Sequence, residues 1–234
     1  MRWAILVAVA LAACTNDTDP RWQLRHDRIV AIRTTPSHVP AGQTAVIDAL
    51  VTSVDGGPAV QAPSAATATG ALAGAVAPDG QGGWQVTAPD AAALDAARAA
   101  LALAPGAPVP LEMSLRFEVG GETLTATKRA WFGDAQDNPT VGPITVDGAA
   151  PAAAIAVPFD ADVALAIDQP AADRVNWLTS CGSLNNDDNE HAALLHVNPD
   201  DVTAGQLVVT VRDPGDGVAW QIWTMTSVAP ARTD

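Results

Sequence analysis

The residues best equipped for chemistry fall in a few places. Asn185-Asn186-Asp187-Asp188-Asn189-Glu190-His191 is the most polar stretch of the chain. Asp187, Asp188 and Glu190 are candidate calcium ligands there, because Ca²⁺ takes roughly six to eight oxygen donors. The D-x-D-x-D-G spacing of a dedicated calcium loop is missing, and a solvated loop between two strands accounts for the same residues. His26, His38, His191 and His196 show no metal-ligand spacing, and on one strand His191 and His196 would face opposite ways. Cys181 has no neighbouring His and no activating motif, so it reads as a small core residue. Trp220 and Trp223 lie three apart on an expected strand and also face opposite ways. One belongs in a core; the other is a candidate for stacking on a sugar, anchoring a partner, or covering the edge of a neighbouring domain.

Other chemistries leave no trace. The chain has no G-x-S-x-G, no H-E-x-x-H, no phosphate loop and no dinucleotide fingerprint. Its 26 acidic residues single out no catalytic pair. No cofactor is implied, no catalytic residue stands out, and the expectation is a protein that is not an enzyme.

The remaining reactive residue is Cys14. Met1-Arg2-Trp3 carries a positive charge, an apolar run follows from Ala4, and Leu11-Ala12-Ala13 are branched or small. This is the layout of an export signal, with an apolar run far below the ~20 residues of a membrane-spanning helix. Leu11-Ala12-Ala13-Cys14 resembles the lipobox of bacterial lipoproteins. That resemblance implies diacylglycerol transfer to the Cys14 thiol, cleavage before it, and acylation of the new N-terminus. Two or three acyl chains would hold firmly to a membrane, since each buried methylene contributes ~0.8 kcal/mol. Thr15 and Asn16 follow, with no Asp directly after the cysteine, and by the same resemblance this favours the outer membrane of a Gram-negative bacterium.

Composition narrows the partners. A formal charge of −14 argues against nucleic acid, which demands clustered Lys and Arg, and against a polybasic grip on anionic lipid. The partners expected are the membrane, through the N-terminal lipid, and an envelope protein or glycan. With Cys14 acylated, the only other cysteine has no disulfide partner. The core must then hold the fold alone.

The elements that position these residues are mostly strands. Gly and Pro number 18 each and charges are few, which suits an all-β protein. Residues 1–13 read as the signal peptide, 14–26 as a tether, 27–138 as one domain and 139–234 as another. Ala45, Ile47, Ala49 and Val51 alternate before a break at Asp55-Gly56-Gly57-Pro58. The stretch PAGQTAVIDALVTSVDGGP resembles the opening strands of bacterial immunoglobulin-like modules. Residues 59–83 carry too little pattern to place strands. Asp90 caps an Ala-rich helix expected to reach Leu103 before Pro105-Gly106. Leu111 to Val119 alternates apolar and polar, Gly120-Gly121 turns the chain, and Leu124 to Ala130 returns. Trp131 is out of phase with Leu124, so the buried face of that second strand stays open.

In the second half, strands are expected near 144–146, 153–157, 163–167, 175–177 and 192–197. A last hairpin runs 207–212 to 218–224. TAGQLVVTVRDPGDG resembles the closing hairpin of PKD-type modules, and a Trp in the third strand, here Trp177, fits an immunoglobulin-like sandwich. No Cys pair flanks Trp177, and there is no Tyr for a tyrosine corner. The expected architecture is all-β: two immunoglobulin-like β-sandwich domains, the first with a short Ala-rich helix. The expected role is a membrane-anchored envelope lipoprotein with a non-enzymatic binding or structural task. A carbohydrate-active accessory protein or small hydrolase of the envelope is the rival.

Overall fold

The computed structural model describes residues 20–188 and 190–228. Cys14 and the export signal lie outside the described residues. In chain order the first sandwich contains β1 (Arg28–Thr35), β2 (His38–Val39), β3 (Thr44–Ser53), β4 (Gly57–Gln61), β5 (Ala65–Ala68), β6 (Val76–Pro78), β7 (Trp84–Thr87), the helix α1 (Ala91–Ala100), β8 (Val109–Val119) and β9 (Glu122–Phe132). The second contains β10 (Ile144–Val146), β11 (Ala154–Pro158), β12 (Asp162–Ile167), β13 (Arg174–Thr179), β14 (Ser183–Asn185), β15 (Ala192–His196), β16 (Ala204–Arg212) and β17 (Val218–Val228).

Both halves solve the burial problem in the same way. The first orders β1-β3-β7-β6 against β2-β9-β8-β5, and the second orders β10-β12-β15-β14 against β11-β17-β16-β13. In each, one short early strand runs parallel to the last strand, β2 beside β9 and β11 beside β17. This is the immunoglobulin-like sandwich. The lack of sequence repeat does not matter to this equivalence, because alternating burial and turns specify it.

The β8–β9 hairpin shows the logic. Leu111, Met113, Leu115, Phe117 and Val119 are buried, and Glu112, Ser114, Arg116 and Glu118 between them are exposed. Gly120 and Gly121 both take positive φ, 60° and 89°, as the tight two-residue turn requires and as a residue with a Cβ rarely does. Register pairs Phe117 with Leu124 and Leu111 with Ala130. Directly opposed residues share a face, so Leu124, Ala126, Lys128, Ala130 and Phe132 point to the core side. Trp131 points outward, which closes the question its phase had raised.

α1 begins where the sequence puts it, with the Asp90 carboxylate accepting from the Ala93 amide at 2.8 Å. It ends three residues before Leu103, because Ala102 turns into the left-handed region at φ 53°. Leu94 on its inner face joins the first core. The weakly patterned residues 59–83 hold β4, β5 and β6, short strands whose side chains are mostly half-exposed. Strands buried so little carry little alternation, which is why sequence could not place them.

Trp177 on β13 is fully buried in the second core, and its Nε1 donates to the Glu190 carbonyl at 3.0 Å. Burying ~150–250 Å² of indole contributes roughly 4–6 kcal/mol of gross apolar stabilisation. Cys181 is buried beside it, with Sγ donating to the Val202 carbonyl at 2.8 Å. The N-terminal segment is not loose from Pro20 onward. Leu24 donates to the Thr179 carbonyl and Thr179 to the Trp22 carbonyl, both at 2.8 Å. Leu24 is fully buried and Trp22 packs on the second core. Part of the stretch read as a tether is therefore built into the fold. Among the described residues, no helix is long and apolar enough to cross a membrane.

Candidate functional site

The two sandwiches meet face against face, and this junction is the most constructed feature outside the cores. Along β3, Ala45, Ile47, Ala49 and Val51 face the first core, so Leu50 and Thr52 must point away from it. Both are nevertheless fully buried. On the other side, Leu178, Val208, Val218, Trp220 and Ile222 occupy the outward face of the β13-β16-β17 sheet. They join Leu24, Val30, Ala31 and Leu50 in a third apolar cluster. Arg33 seals its margin: its guanidinium binds the Asp48 carboxylate through two bonds, 2.8 and 2.9 Å, and lies 4.0 Å over the Trp220 ring.

A polar latch adjoins the apolar centre. The β16–β17 turn, Asp213 to Gly217, reaches across onto the first sandwich. Lys128 Nζ donates to the Asp216 carbonyl at 2.7 Å, and Trp131 Nε1 donates to Asp216 Oδ2 at 2.9 Å. His38 bridges Asp134 Oδ1 and the Gly215 carbonyl, each at 2.8 Å. The Val218 amide donates to Asn138 Oδ1 at 2.9 Å, while Asn138 Nδ2 donates to the Thr34 carbonyl. Asp213 organises the turn itself. Its Oδ1 accepts from the Gly215 and Gly217 amides, and its Oδ2 accepts from Gln136 at 3.0 Å. An apolar centre with a hydrogen-bonded rim is the anatomy of a specific interface.

Beside the latch, between the β1 edge, β9 and the β13–β16 pair, lies a cleft of about 630 Å³. Its floor is Ile29 to Ile32, and its walls carry Lys128, Arg174 and Arg212. Burial pushes the Lys128 ammonium below its ordinary range, opposed by the pull of Asp216. Burial lowers Arg212 as well, and Arg174 adds to the effect while Asp188 opposes it. Arg28, next along β1, is lowered by burial against the pull of Asp187.

The structure disperses the residues that sequence singled out. Asp188 binds Arg21 at 2.6 Å and pairs with Asn176 across a single bridge. Asp187 and Glu190 are held by their backbones: the Asp187 carbonyl accepts from the Trp177 amide, and the Glu190 amide donates to Val175. This polar segment runs alongside β13, and among the described residues no cluster of three His, Cys, Asp or Glu is placed to hold a metal ion. His191 Nε2 donates to the Asp173 carbonyl at 3.1 Å, and His196 Nδ1 meets Asp162 Oδ1 at 2.9 Å. Trp223 packs half-buried on the second core, and Trp220 sits half-buried in the junction beneath Arg33.

Sequence reasoning missed the junction, although two signals were present. Ala49-Leu50-Val51 is an unbroken apolar run and Leu207 to Val211 is interrupted only by Thr210, too few polar positions for a strand covered on one face only. Lys128 also stood at an inward position of an alternating strand, where a cation needs a reason.

Fold and junction together define the class: a tandem pair of immunoglobulin-like sandwiches docked through their sheet faces. No protein-family model matches the chain, and no curated protein shows significant similarity to it. Among solved structures it is similar to the human Desmocollin-1 ectodomain at 12% identity, over 85% of this chain and 35% of that one, with a TM-score of 0.29. The chain thus spans about a third of that protein's length. It is similar to murine CEACAM1b at 12% identity, over 86% of this chain and 100% of that one, with a TM-score of 0.31. Fibronectin(III)-like modules of Clostridium thermocellum CbhA show 13% identity, 87% and 97% coverage and a TM-score of 0.30. Each likeness concerns the fold alone.

Proposed function

We propose that this chain is an envelope lipoprotein, held through acylated Cys14, whose two docked sandwiches perform a non-enzymatic binding or structural task facing an envelope protein or glycan. The observation that carries the binding or structural half is the junction. An apolar cluster and a hydrogen-bonded latch fix the two modules as one body, which suits presentation of a surface in a set orientation. The lipobox resemblance supports the anchor. From Cys14 to Pro20 the chain can reach at most about 20 Å, so the anchor would attach close to Trp22 and Leu24, at the junction side of the second sandwich.

The hydrolase reading draws on Asp213 and Asp216 at the cleft. Their carboxylates accept from the turn amides, Gln136 and Trp131, and Asp216 Oδ2 also lies 3.9 Å from Arg129, so both are used in holding the latch. Labelled palmitate tests the anchor: wild type should incorporate it and sediment with outer membrane, while Cys14→Ala should do neither. Label persisting in Cys14→Ala would sink the anchor. Crosslinking in intact cells tests the binding role, which expects one recurring envelope partner or glycan.

A further inference from the structure

The cleft beside the latch contains an arrangement that the fold alone does not explain. Arg174 and Arg212 are directly opposed on adjacent antiparallel strands, so their side chains leave the sheet on the same face. Like charges in that relation destabilise a sheet. Lys128 enters the same cleft from the other sandwich. The whole chain has only 12 Lys and Arg against 26 Asp and Glu, yet three of these cations line this one cleft. Among the described residues none of the three forms an ion pair. Lys128 has the Asp216 carbonyl, and Arg212 has the Val30 carbonyl at 3.1 Å and the Thr210 hydroxyl at 3.5 Å.

The acids nearby answer this charge only in part: Asp216 and Asp213 pull on Lys128 without forming an ion pair with it. Asp213 and Asp216 border the cleft, but their carboxylates are turned to the latch, as described above. Asp188 acts on Arg212 only from a distance and is itself bound to Arg21. In a smaller recess sharing Ile29 and Val30, the Arg28 guanidinium leaves Nε and Nη2 buried with no hydrogen-bond partner. A buried cationic donor without an acceptor is costly. The same cleft also has apolar lining from Ile29, Val30, Ala172 and Pro214. Its volume falls within the roughly 300–1,000 Å³ of small-ligand sites.

We propose that this cleft is a binding site for a small organic anion, with a carboxylate or phosphate head seated among Lys128, Arg174 and Arg212 and an apolar body against Ile29 and Val30. The inference takes the binding role proposed above as its premise but not the anchor. Because both sandwiches contribute, an occupant would also tighten their docking. A phosphate or carboxylate matches the paired guanidinium forks through charge-assisted bonds.

The test is titration calorimetry on purified protein in a neutral detergent with benzoate, phenyl phosphate, inorganic phosphate and benzyl alcohol. At least one of the two organic anions should bind ten-fold or more tightly than both inorganic phosphate and benzyl alcohol, and which one binds identifies the head. Raising salt from 50 to 300 mM should weaken it several-fold. Arg174→Glu supplies the missing acid within the sheet. It should raise the melting temperature of the unliganded protein and weaken the anion at least ten-fold. Lys128→Gln should weaken it several-fold without relocating it. Benzyl alcohol binding as tightly as both anions overturns the proposal, as does binding by neither anion at millimolar concentration. So does undiminished anion binding by folded Arg174→Glu. None of these outcomes touches the palmitate or crosslinking results, so the two proposals fail separately.

Discussion

Leu50→Ala offers the sharpest measurement of whether the sandwiches are truly docked. Leu50 lies on the outward face of β3, on the same side as Val46 four residues earlier. Val46 is 51% exposed and Leu50 is 0% exposed, and the difference comes from the Leu178, Val208, Val218 and Trp220 cover together with Leu24. Truncation removes three carbons, worth about 2.4 kcal/mol in transfer at about 0.8 each, and leaves a partly collapsed cavity. The expected loss is about 3 kcal/mol, a fall of about 6–12 °C in melting temperature for a chain of this size. Val46→Ala, on the same strand and face, should cost no more than about 1 kcal/mol. Urea unfolding followed by tryptophan fluorescence reads both. A cycle with Val208→Ala should show coupling of about 0.5 kcal/mol or more, since both side chains belong to the junction cluster. If Leu50→Ala costs no more than Val46→Ala, Leu50 is solvated in solution and the docked arrangement is wrong.

Further outcomes follow from other groups. Asp213→Ala strips the acceptor from the Gly215 and Gly217 amides and from Gln136, and should cost about 1–3 kcal/mol in urea unfolding; a loss under about 0.5 kcal/mol would show that the turn holds itself. Adding CaCl₂ and then EDTA should leave the melting temperature unchanged, because Asp188 is bound to Arg21; a calcium-dependent rise would restore Asp187, Asp188 and Glu190 as ligands. Burial raises the Cys181 thiol, so its contribution is complete below the unfolded value of about 8.5 and is lost as pH climbs through the raised one. Burial lowers Lys128, so its contribution grows as pH rises through the lowered value toward about 10.4. The two act in opposite senses, and unfolding between pH 7 and 10 should separate them. Relative to wild type, Cys181→Ala should give a more positive stability slope and Lys128→Met a more negative one; a slope unchanged in both would remove burial as the cause.

The parts of the fold that could be read from residue order are those with strong local patterns. β8 and β9 alternate cleanly because one face of each meets a core while the other faces outward, and the glycine pair between them admits one tight turn. The Asp90 cap and the buried Trp177 belong to the same group. β4, β5 and β6 escaped detection because half-exposed strands impose no period on their sequence. The candidate site was less legible still. Asp187, Asp188 and Glu190 looked like a ligand set because the stretch is rich in oxygen donors, but the backbones of Asp187 and Glu190 are bonded to β13 and the Asp188 carboxylate is bound to Arg21. Arg174 and Arg212 are 38 positions apart, and nothing local marks them as neighbours.

Sequence alone determined the all-β class, the paired sandwiches and the lipobox resemblance at Cys14, since each rests on short-range pattern: alternation of period two, turn residues, and contiguous small residues before a cysteine. Tertiary structure decided what the outward faces do. Whether Leu50 meets water or Val208, whether Trp220 meets a ligand or Arg33, and whether Lys128 meets solvent or the Asp216 turn and Arg212 depend on where a second sheet comes to rest. That placement is set by many weak contacts between residues far apart in the chain, and no local pattern encodes it.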